Sequence, residues 1–489
     1  MPQHKPTQTA FLIVGIILFL LLGIIPALYT FLVSFSNFDI LHGIWGSPWV
    51  GTANYSALTR SFHFPRILYN AFIYFLIPTL FAAIITIPIA GYIGSMKAGR
   101  QRSLVTFALL LPAFVPDIIV AVLVLYIGSN MALATHSSFR IILILLYVIR
   151  PAAICAFVGA SAAGIFNDKG KNIMHGAVFG MVIGIAASLV RFLSSNMELH
   201  TLVQTPFVME TADTFDIFAF RVGMQMLDMP LASAAWVFRT AIQLCAVPIV
   251  ALLVHSCVLR GDTPGNHDHD IRQPDRVGMH AGVVLGALVT VLFMAALIVA
   301  ITRGHDSYVQ YPQSLFNSAV ITVLSSVLFA IITFMLGYWL SANVNKLGAI
   351  VLVLLMVTLT NNFIGEFLFY RALGLTNTHF SVAAVNGFNL AFVLPLAYLA
   401  RLKNRETGFR HMLPPFIAFF GLFVANTWAS GWSQLIHTMQ ANHMGVGLAL
   451  RNNLHGGAPT SLILGVVIPV FVITAGTAVA YALASQAQQ

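Results

Sequence analysis

Long apolar runs separated by short polar segments constrain the fold of this sequence more than any other feature. A run of about 18 apolar residues is long enough for a helix to cross the ~30 Å hydrocarbon core of a bilayer. Because the runs are continuous and do not alternate, they predict helices and not a β-barrel. About twelve spans are expected, near 10–35, 67–93, 104–127, 139–165, 173–193, 231–258, 277–301, 314–340, 347–369, 382–402, 413–432 and 461–483.

The composition agrees with an all-α polytopic membrane protein. Only 8% of the 489 residues are charged and 58% are hydrophobic, whereas soluble domains carry about 25% charged residues. We expect the first span to be retained as an anchor. The three cysteines lie in apolar spans without metal-ligand spacing, so they predict neither a disulfide framework nor a metal site.

Lys and Arg residues between the spans predict the orientation, because short cytoplasmic loops are enriched in them. One side of the predicted membrane carries Lys97, Arg100, Arg102, Lys169, Lys171, Lys346, Arg401, Lys403, Arg405 and Arg410. The other side carries Glu198, Glu210, Asp213, Asp216 and Asp228. Both termini are therefore expected in the cytoplasm. The same bias explains the net charge of +9, so nucleic-acid binding is not needed to account for it.

A polar segment rich in turn formers divides the chain into two parts. We predict a first transmembrane half at 1–260, a cytoplasmic linker at 261–276 and a second half at 277–489. Leu68-Tyr-Asn-Ala71 opens the second span and Leu315-Phe-Asn-Ser318 opens the eighth, and a Gly-Tyr pair follows each at similar spacing. Six spans in each half predict a parallel repeat.

The polar segment Thr205–Met224 resembles the loop before the last helix in sugar-importer permeases of the ABC superfamily, in the complex-carbohydrate branch. The matching residues are Pro206, Val208, Glu210, Ala212, Asp213, Asp216, Arg221, Val222 and Gly223. The stretches 46–51, 372–378 and 412–415 resemble other motifs of that family. The resemblance implies two permeases fused in one chain.

This resemblance implies a permease that moves a sugar or oligosaccharide across the cytoplasmic membrane. It implies an extracytoplasmic solute-binding protein as partner and two ATPase subunits where transport is driven by ATP. Candidates for contact with a partner on the outer face are Glu210, Asp213, Asp216, Arg221 and Glu366.

The family couples to its ATPase through a cytoplasmic loop with a Glu-Ala-Ala motif, and this sequence departs from that pattern. Its remnants in the first half are Ser161, Ala162, Ala163, Asp168 and Gly170, and the glutamate is missing. In the second half, the corresponding place contains Arg405 and Glu406 without any Glu-Ala-Ala. The sequence therefore predicts the transport fold, but it does not predict coupling to ATP hydrolysis.

Ionisable groups inside membrane spans are costly and are candidates for function. Asp117 and Arg239 are predicted to pair across the bundle and to line a polar path; a buried pair that only fixes helix register is the alternative. Arg140, Arg150 and Arg191 are expected to reach from span ends to the interface. Trp236, Trp428 and Trp432, with Asn426, are candidates for sugar contact, although tryptophan also anchors spans at the interface.

The sequence contains neither a nucleotide-binding Gly-rich loop nor a Ser-His-Asp or Cys-His constellation. We therefore expect a transporter component that is not an enzyme and holds no cofactor. Two alternatives remain: a permease-derived membrane scaffold that no longer couples to an ATPase, and a twelve-helix secondary transporter. A Gly94…Gly99-Arg-x-Arg102 stretch is a weak sign of the second.

Overall fold

The structure, a computed structural model, describes residues 4–127, 135–261, 309–360, 362–403, 409–438, 440–457 and 459–487, with the single positions 291, 295 and 298. The predicted linker beyond Gly261 and most of the predicted seventh span lie outside the described residues. Arg405 and Glu406 also lie outside them.

In the first part of the chain, the described residues 4–127 and 135–261 form mainly helices. They are α1 (His4–Phe19), α2 (Ile25–Ser34), α3 (Gly43–Gly46), α4 (Ala53–Arg60), α5 (Phe64–Gly94), α6 (Arg100–Ala108), α7 (Asp117–Ile127), α8 (His136–Asp168), α9 (Ile173–Leu189), α10 (Met197–Val203), α11 (Met209–Ala212), α12 (Phe215–Phe220) and α13 (Met229–Gly261). A π-helical turn, Leu20–Ile24, joins α1 to α2.

The second part (residues 309–487) is also helical in its described residues. Its helices are α14 (Tyr311–Asn343), α15 (Leu347–Leu359), α16 (Phe363–Ala372), α17 (His379–Gly387), α18 (Val393–Lys403), α19 (Phe409–Ala429), α20 (Trp432–His437), α21 (Val446–Gly457) and α22 (Thr460–Gln486).

Seven helical segments in the described residues are long and apolar enough to cross a membrane. They are Thr9–Ser34, Phe64–Gly94, His136–Asp168, Met229–Gly261, Tyr311–Asn343, Arg410–Ala429 and Thr460–Gln486. The pair α15 and α16, bent by 75°, makes an eighth if both form one span. The chain is an all-α polytopic membrane protein, as predicted.

The other predicted spans differ because their helices are short or broken. The predicted third span divides into α6 and α7, since Pro116 lacks a backbone N–H and favours an extended residue before it. Val115 accordingly has φ −73° and ψ 113°. The predicted tenth span divides into α17 and α18, and the fifth corresponds to α9, which has 17 residues.

The N-terminal helices pack across the boundary between the two parts. α1 contacts α14, and α2 contacts both α13 and α16. Close approach of α2 to α16 requires a glycine, because a Cβ atom on Gly365 would lie 1.9 Å from the Pro26 carbonyl oxygen. Asn362 Nδ2 adds a 2.7 Å hydrogen bond to Thr30 Oγ1.

Two asparagines, at matching positions of the predicted repeat, each bind a loop of their own part. Asn70 Nδ2 on α5 donates to the carbonyl oxygens of Glu210 and Asp213, both at 2.9 Å. Asn317 Nδ2 on α14 donates to the carbonyl oxygens of Asn442 and Met444, at 2.8 and 3.0 Å. These are the asparagines of the two related Leu-x-Asn motifs, so each binds the loop before the last helices of its own part. The duplication itself stays a prediction.

Candidate functional site

The segment Thr205–Met224 folds back on the protein as short helical turns, and two of its acids are buried in ion pairs. Asp213 binds Arg221 Nη2 at 2.6 Å, and Asp216 binds Arg239 of α13. Burial raises the pKa of Asp213, and the attraction of Arg221 opposes this effect. The Asp213 and Asp216 side chains therefore serve internal pairs.

Because of this burial, most of the residues predicted to contact a partner on the outer face are not accessible to one. Asp213, Asp216 and Glu366 are all buried, and Arg221 is 13% exposed and occupied by Asp213. A carboxylate that is enclosed with its own counterion has no free surface for a partner protein. Glu210 differs, because its side chain is 68% exposed and binds Arg66 Nη1 at 2.9 Å.

A cavity of about 560 Å³ lies between the first and second parts of the chain. Both parts contribute to its wall, from Tyr74 on α5 to His437 on α20. Its charged lining residues, four carboxylates and three guanidiniums, are Asp117, Arg150, Arg191, Glu198, Asp216, Arg239 and Glu366. Three predicted path residues, Asp117, Arg239 and Asn426, thus lie at one cavity.

The structure corrects the predicted pairing of Asp117 with Arg239. Asp117 is the first residue of α7, after the break at Pro116, and its Oδ2 atom accepts hydrogen bonds from Arg150 Nη1 at 3.0 Å and Asn196 Nδ2 at 3.1 Å. Arg239 is not the partner of Asp117, because it forms an ion pair with Asp216. Both arginines face the same cavity from different walls.

Arg150 was expected near a span end, but it lies in the middle of α8, which extends from His136 to Asp168. Its second guanidinium nitrogen, Nη2, donates to Asn426 Oδ1 of α19 at 2.8 Å. Asn426 Nδ2 in turn donates to the Ala113 carbonyl oxygen at 3.2 Å. The sequence missed this bridge because helix bounds alone do not show which arginine faces inward.

Two of the three predicted sugar-contact tryptophans do not line the cavity. Trp236 is buried inside the protein, and Trp428 Nε1 donates to the Gly465 carbonyl oxygen at 2.9 Å. Trp432 does line it, with its ring packed edge-on against Phe220 at 4.9 Å between centroids. Trp432 is therefore the one of the three predicted tryptophans that lies at this cavity.

Glu198, on α10, joins the two parts at the cavity wall. Its carboxylate accepts hydrogen bonds from Ser430 Oγ at 2.9 Å, from Gly431 N at 3.1 Å and from Trp432 N at 2.8 Å. Burial raises the pKa of Glu198, and the attraction of Arg451 opposes the rise. The distribution of charged residues placed Glu198 only on the outer side of the membrane and did not predict this contact.

Three neutral polar side chains at the cavity have atoms without a protein partner. They are Asn386 at Nδ2, Ser433 at Oγ, and His437 at both ring nitrogens. Burial lowers the pKa of His437 to about 4, so its ring is neutral at neutral pH. These amide, hydroxyl and imidazole groups suit hydrogen bonding to an uncharged polar ligand.

The predicted remnants of the coupling loop lie mostly inside a helix. Ser161, Ala162 and Ala163 belong to α8, Asp168 ends it and binds Arg102 of α6, and Gly170 turns with φ 63°. Four residues separate α8 from α9.

Hydrogen bonds join this short turn to both parts of the chain. Lys169 Nζ donates to the carbonyl oxygen of Leu402 near the end of α18. Lys171 Nζ donates to the carbonyl oxygen of Gly261, the last residue of α13, at 2.5 Å. Lysines favour such positions because the carbonyl groups at a helix end lack intrahelical donors.

Neither a protein-family model nor a curated protein sequence matches this chain. Among solved structures, it is similar to a chain in the crystal structure of a bacterial alginate ABC transporter in complex with an alginate pentasaccharide-bound periplasmic protein. The identity is 21% and the TM-score is 0.36, over 44% of this chain and 85% of that chain. Similarity at this level carries no conclusion about the fold or function of this protein.

Proposed function

We propose that this protein is the membrane permease component of a sugar or oligosaccharide transporter. The observation that carries the proposal is the cavity between the two parts of a membrane-spanning chain, lined by amides, ion pairs and aromatic rings. Polar groups inside the spans of a membrane protein are costly, and those that occur often mark a solute path or a binding site. A volume of about 560 Å³ lies within the range of ~300–1,000 Å³ that is typical of small-molecule sites.

The lining suits a sugar in particular. Tyr147, Phe423 and Trp432 supply aromatic surface, on which the C–H faces of a pyranose can stack. Asn386, Ser433 and His437 supply neutral donors and acceptors for hydroxyl groups. Specific pockets combine apolar surface with a few placed polar groups in this way.

We further propose a cytoplasmic membrane location with both termini in the cytoplasm, on the basis of the Lys and Arg distribution. An extracytoplasmic solute-binding protein would then deliver the sugar to the face that carries Glu210 and Arg66. In the ATP-driven form, two ATPase subunits would bind the cytoplasmic face. This chain would hold no nucleotide itself.

A second candidate is a permease-derived membrane scaffold without ATPase coupling. The turn between α8 and α9 favours it, because its two lysines already bind carbonyl oxygens of α13 and α18. A docking element needs polar surface that projects from the membrane. A turn of four residues whose lysines bind neighbouring helices supplies little such surface.

Uptake by host cells tests the transport function. Cells that lack the gene should lose uptake of at least one labelled neutral oligosaccharide from a set of maltotriose, xylotriose and mannotriose. Wild-type protein and Trp432→Phe should restore it, whereas Trp432→Ala should reduce it by about tenfold or more, as expected when a buried aromatic contact is removed. Trp45→Ala is the matched control, because Trp45 is 92% exposed and outside the cavity.

Unchanged uptake of all three sugars in cells without the gene would contradict transport of this class. Affinity purification from host membranes in mild detergent separates the two candidates. An ATP-binding subunit in stoichiometric amount supports an ATP-driven permease, and intact assembly without any such subunit supports the scaffold.

A further inference from the structure

The charges that line the cavity are compensated by the protein itself. Asp117 is bound by Arg150 and Asn196, and the second nitrogen of Arg150 is bound by Asn426. Asp216 is bound by Arg239 and also accepts a 2.7 Å hydrogen bond from Ser195 N.

The remaining lining charges also have protein partners. Glu198 receives three donors from residues 430–432 and is attracted by Arg451. Glu366 Oε1 accepts a 3.2 Å hydrogen bond from Asn362 N, and Arg191 attracts Glu366 electrostatically. Each described carboxylate on the cavity wall therefore accepts a hydrogen bond from the protein, and Arg150 and Arg239 are each held in an ion pair.

This arrangement disfavours a charged ligand. An ion that leaves water for a low-dielectric site loses hydration energy, and it recovers this only from a counterion with good geometry. Here, a uronate would have to displace Asp117 from Arg150, and an amino sugar would have to displace Arg150 from Asp117. A neutral polyol avoids both costs and can use the free polar atoms of Asn386, Ser433 and His437.

The two ion pairs differ in their access to a ligand. In the Asp117–Arg150 pair the side chains are 13% and 31% exposed, whereas in the Asp216–Arg239 pair they are 8% and 4% exposed. The Asp117–Arg150 pair is therefore the one that a ligand in the cavity meets.

We propose that the Asp117–Arg150 ion pair sets the charge selectivity of the cavity, so that the transported solute is an uncharged oligosaccharide and saccharides with carboxylate or amino groups are excluded. This inference rests on the proposed transport function. It names the substrate class of the same cavity and gives the pair a role in selectivity.

The test measures direct binding to the purified full-length protein in nanodiscs. The neutral probes are maltotriose, xylotriose and mannotriose; the anionic probe is trigalacturonate; and the cationic probe is fully deacetylated chitotriose. The wild-type protein should bind at least one neutral probe about tenfold or more tightly than either charged probe, which corresponds to about 1.4 kcal/mol.

Charge-removing variants then test the role of the pair. Asp117→Asn frees Arg150 and should strengthen trigalacturonate binding by about tenfold. Arg150→Gln frees Asp117 and should strengthen chitotriose binding to a similar extent. The double variant Asp117→Asn/Arg150→Gln should return to the wild-type order of probes. Arg60→Gln removes an exposed arginine that does not line the cavity and should leave the order unchanged.

Binding of a charged probe as tight as that of the neutral probes would overturn the selectivity, and this comparison needs no variant to fold. Folded single variants with an unchanged order of probes would overturn the role of the pair. In both cases the transport proposal would stand. Binding of none of the probes would contradict the transport proposal, and this inference with it.

Discussion

At the scale of single residues, Asn70 and Asn317 are polar side chains that organise backbone and do not line the cavity. Asn70 and Asn317 each hold two carbonyl oxygens of a loop. Both side chains are also oriented from the opposite side, since Arg140 donates to Asn70 Oδ1 at 3.3 Å and His379 Nε2 lies 3.1 Å from Asn317 Oδ1. In a membrane protein, an unpaired carbonyl group inside the bundle is costly.

Replacement of either asparagine by alanine should therefore destabilise the protein. Asn70→Ala and Asn317→Ala each remove the donor from two carbonyl oxygens, at an expected cost of about 1–3 kcal/mol each. The measurement is the thermal melting of the purified variants in one detergent. Asn452→Ala is the control, because Asn452 is exposed; equal melting of all three variants would contradict the structural role.

At the scale of helices, breaks and small residues determine which segments can face the cavity. The break before α7 places Asp117 at a helix start, and α16 is bent by 75° relative to α15. Discontinuous helices of this kind are found where backbone lines a cavity inside a membrane protein. Gly365, near the start of α16, then allows this helix to pack closely against α2.

Gly365→Ala should disrupt the packing of α2 on α16. The new methyl group would overlap the Pro26 carbonyl oxygen and lie 2.6 Å from Thr30 Oγ1, and overpacking costs about 1–3 kcal/mol or more. Gly476→Ala on α22 is the matched control, since no atom lies within 4 Å of its new Cβ. The control should leave the melting temperature unchanged or raise it, as expected for Gly to Ala in a helix. A Gly365→Ala protein as stable as wild type would refute this packing.

At the scale of the whole molecule, each of the two parts of the chain contains a buried histidine. Burial lowers the pKa of His200 to about 3 and that of His437 to about 4, from 6.5. His200 Nδ1 lies 2.9 Å from the Tyr147 hydroxyl, and His437 packs edge-on against Tyr370. Both rings remain neutral where the unfolded chain would take up protons.

The protein should therefore lose stability as the pH falls from 6.5 towards about 4. In that interval the unfolded state binds more protons than the folded state, so acid favours unfolding by up to about 1.4 kcal/mol per pH unit for each histidine. Melting temperatures across this interval measure the slope.

His200→Gln should reduce the pH dependence of the melting temperature relative to wild type, because this variant lacks the histidine and keeps the acids that also titrate. His63→Gln, at an exposed position, should keep the wild-type slope. The proposed role of His200 fails if both variants have the same slope as the wild-type protein.

Several features followed from the sequence alone, because they depend on local composition. The apolar runs predicted an all-α polytopic membrane protein, and their lengths placed helices such as α5, α8 and α14 within a few residues of the observed bounds. Asp117, Arg239 and Asn426 were identified as candidates because a polar group in an apolar span is unusual in any fold.

Only the tertiary structure decided how these residues are paired and which of them face the cavity. Asp117 binds Arg150 and not Arg239, and Asp213 and Asp216 are enclosed by arginines. Trp432 lines the cavity, whereas Trp236 and Trp428 do not. The physical reason is that composition sets the cost of placing a group in the membrane, whereas its partner depends on helix rotation, on breaks such as that at Pro116, and on contacts between residues far apart in the chain.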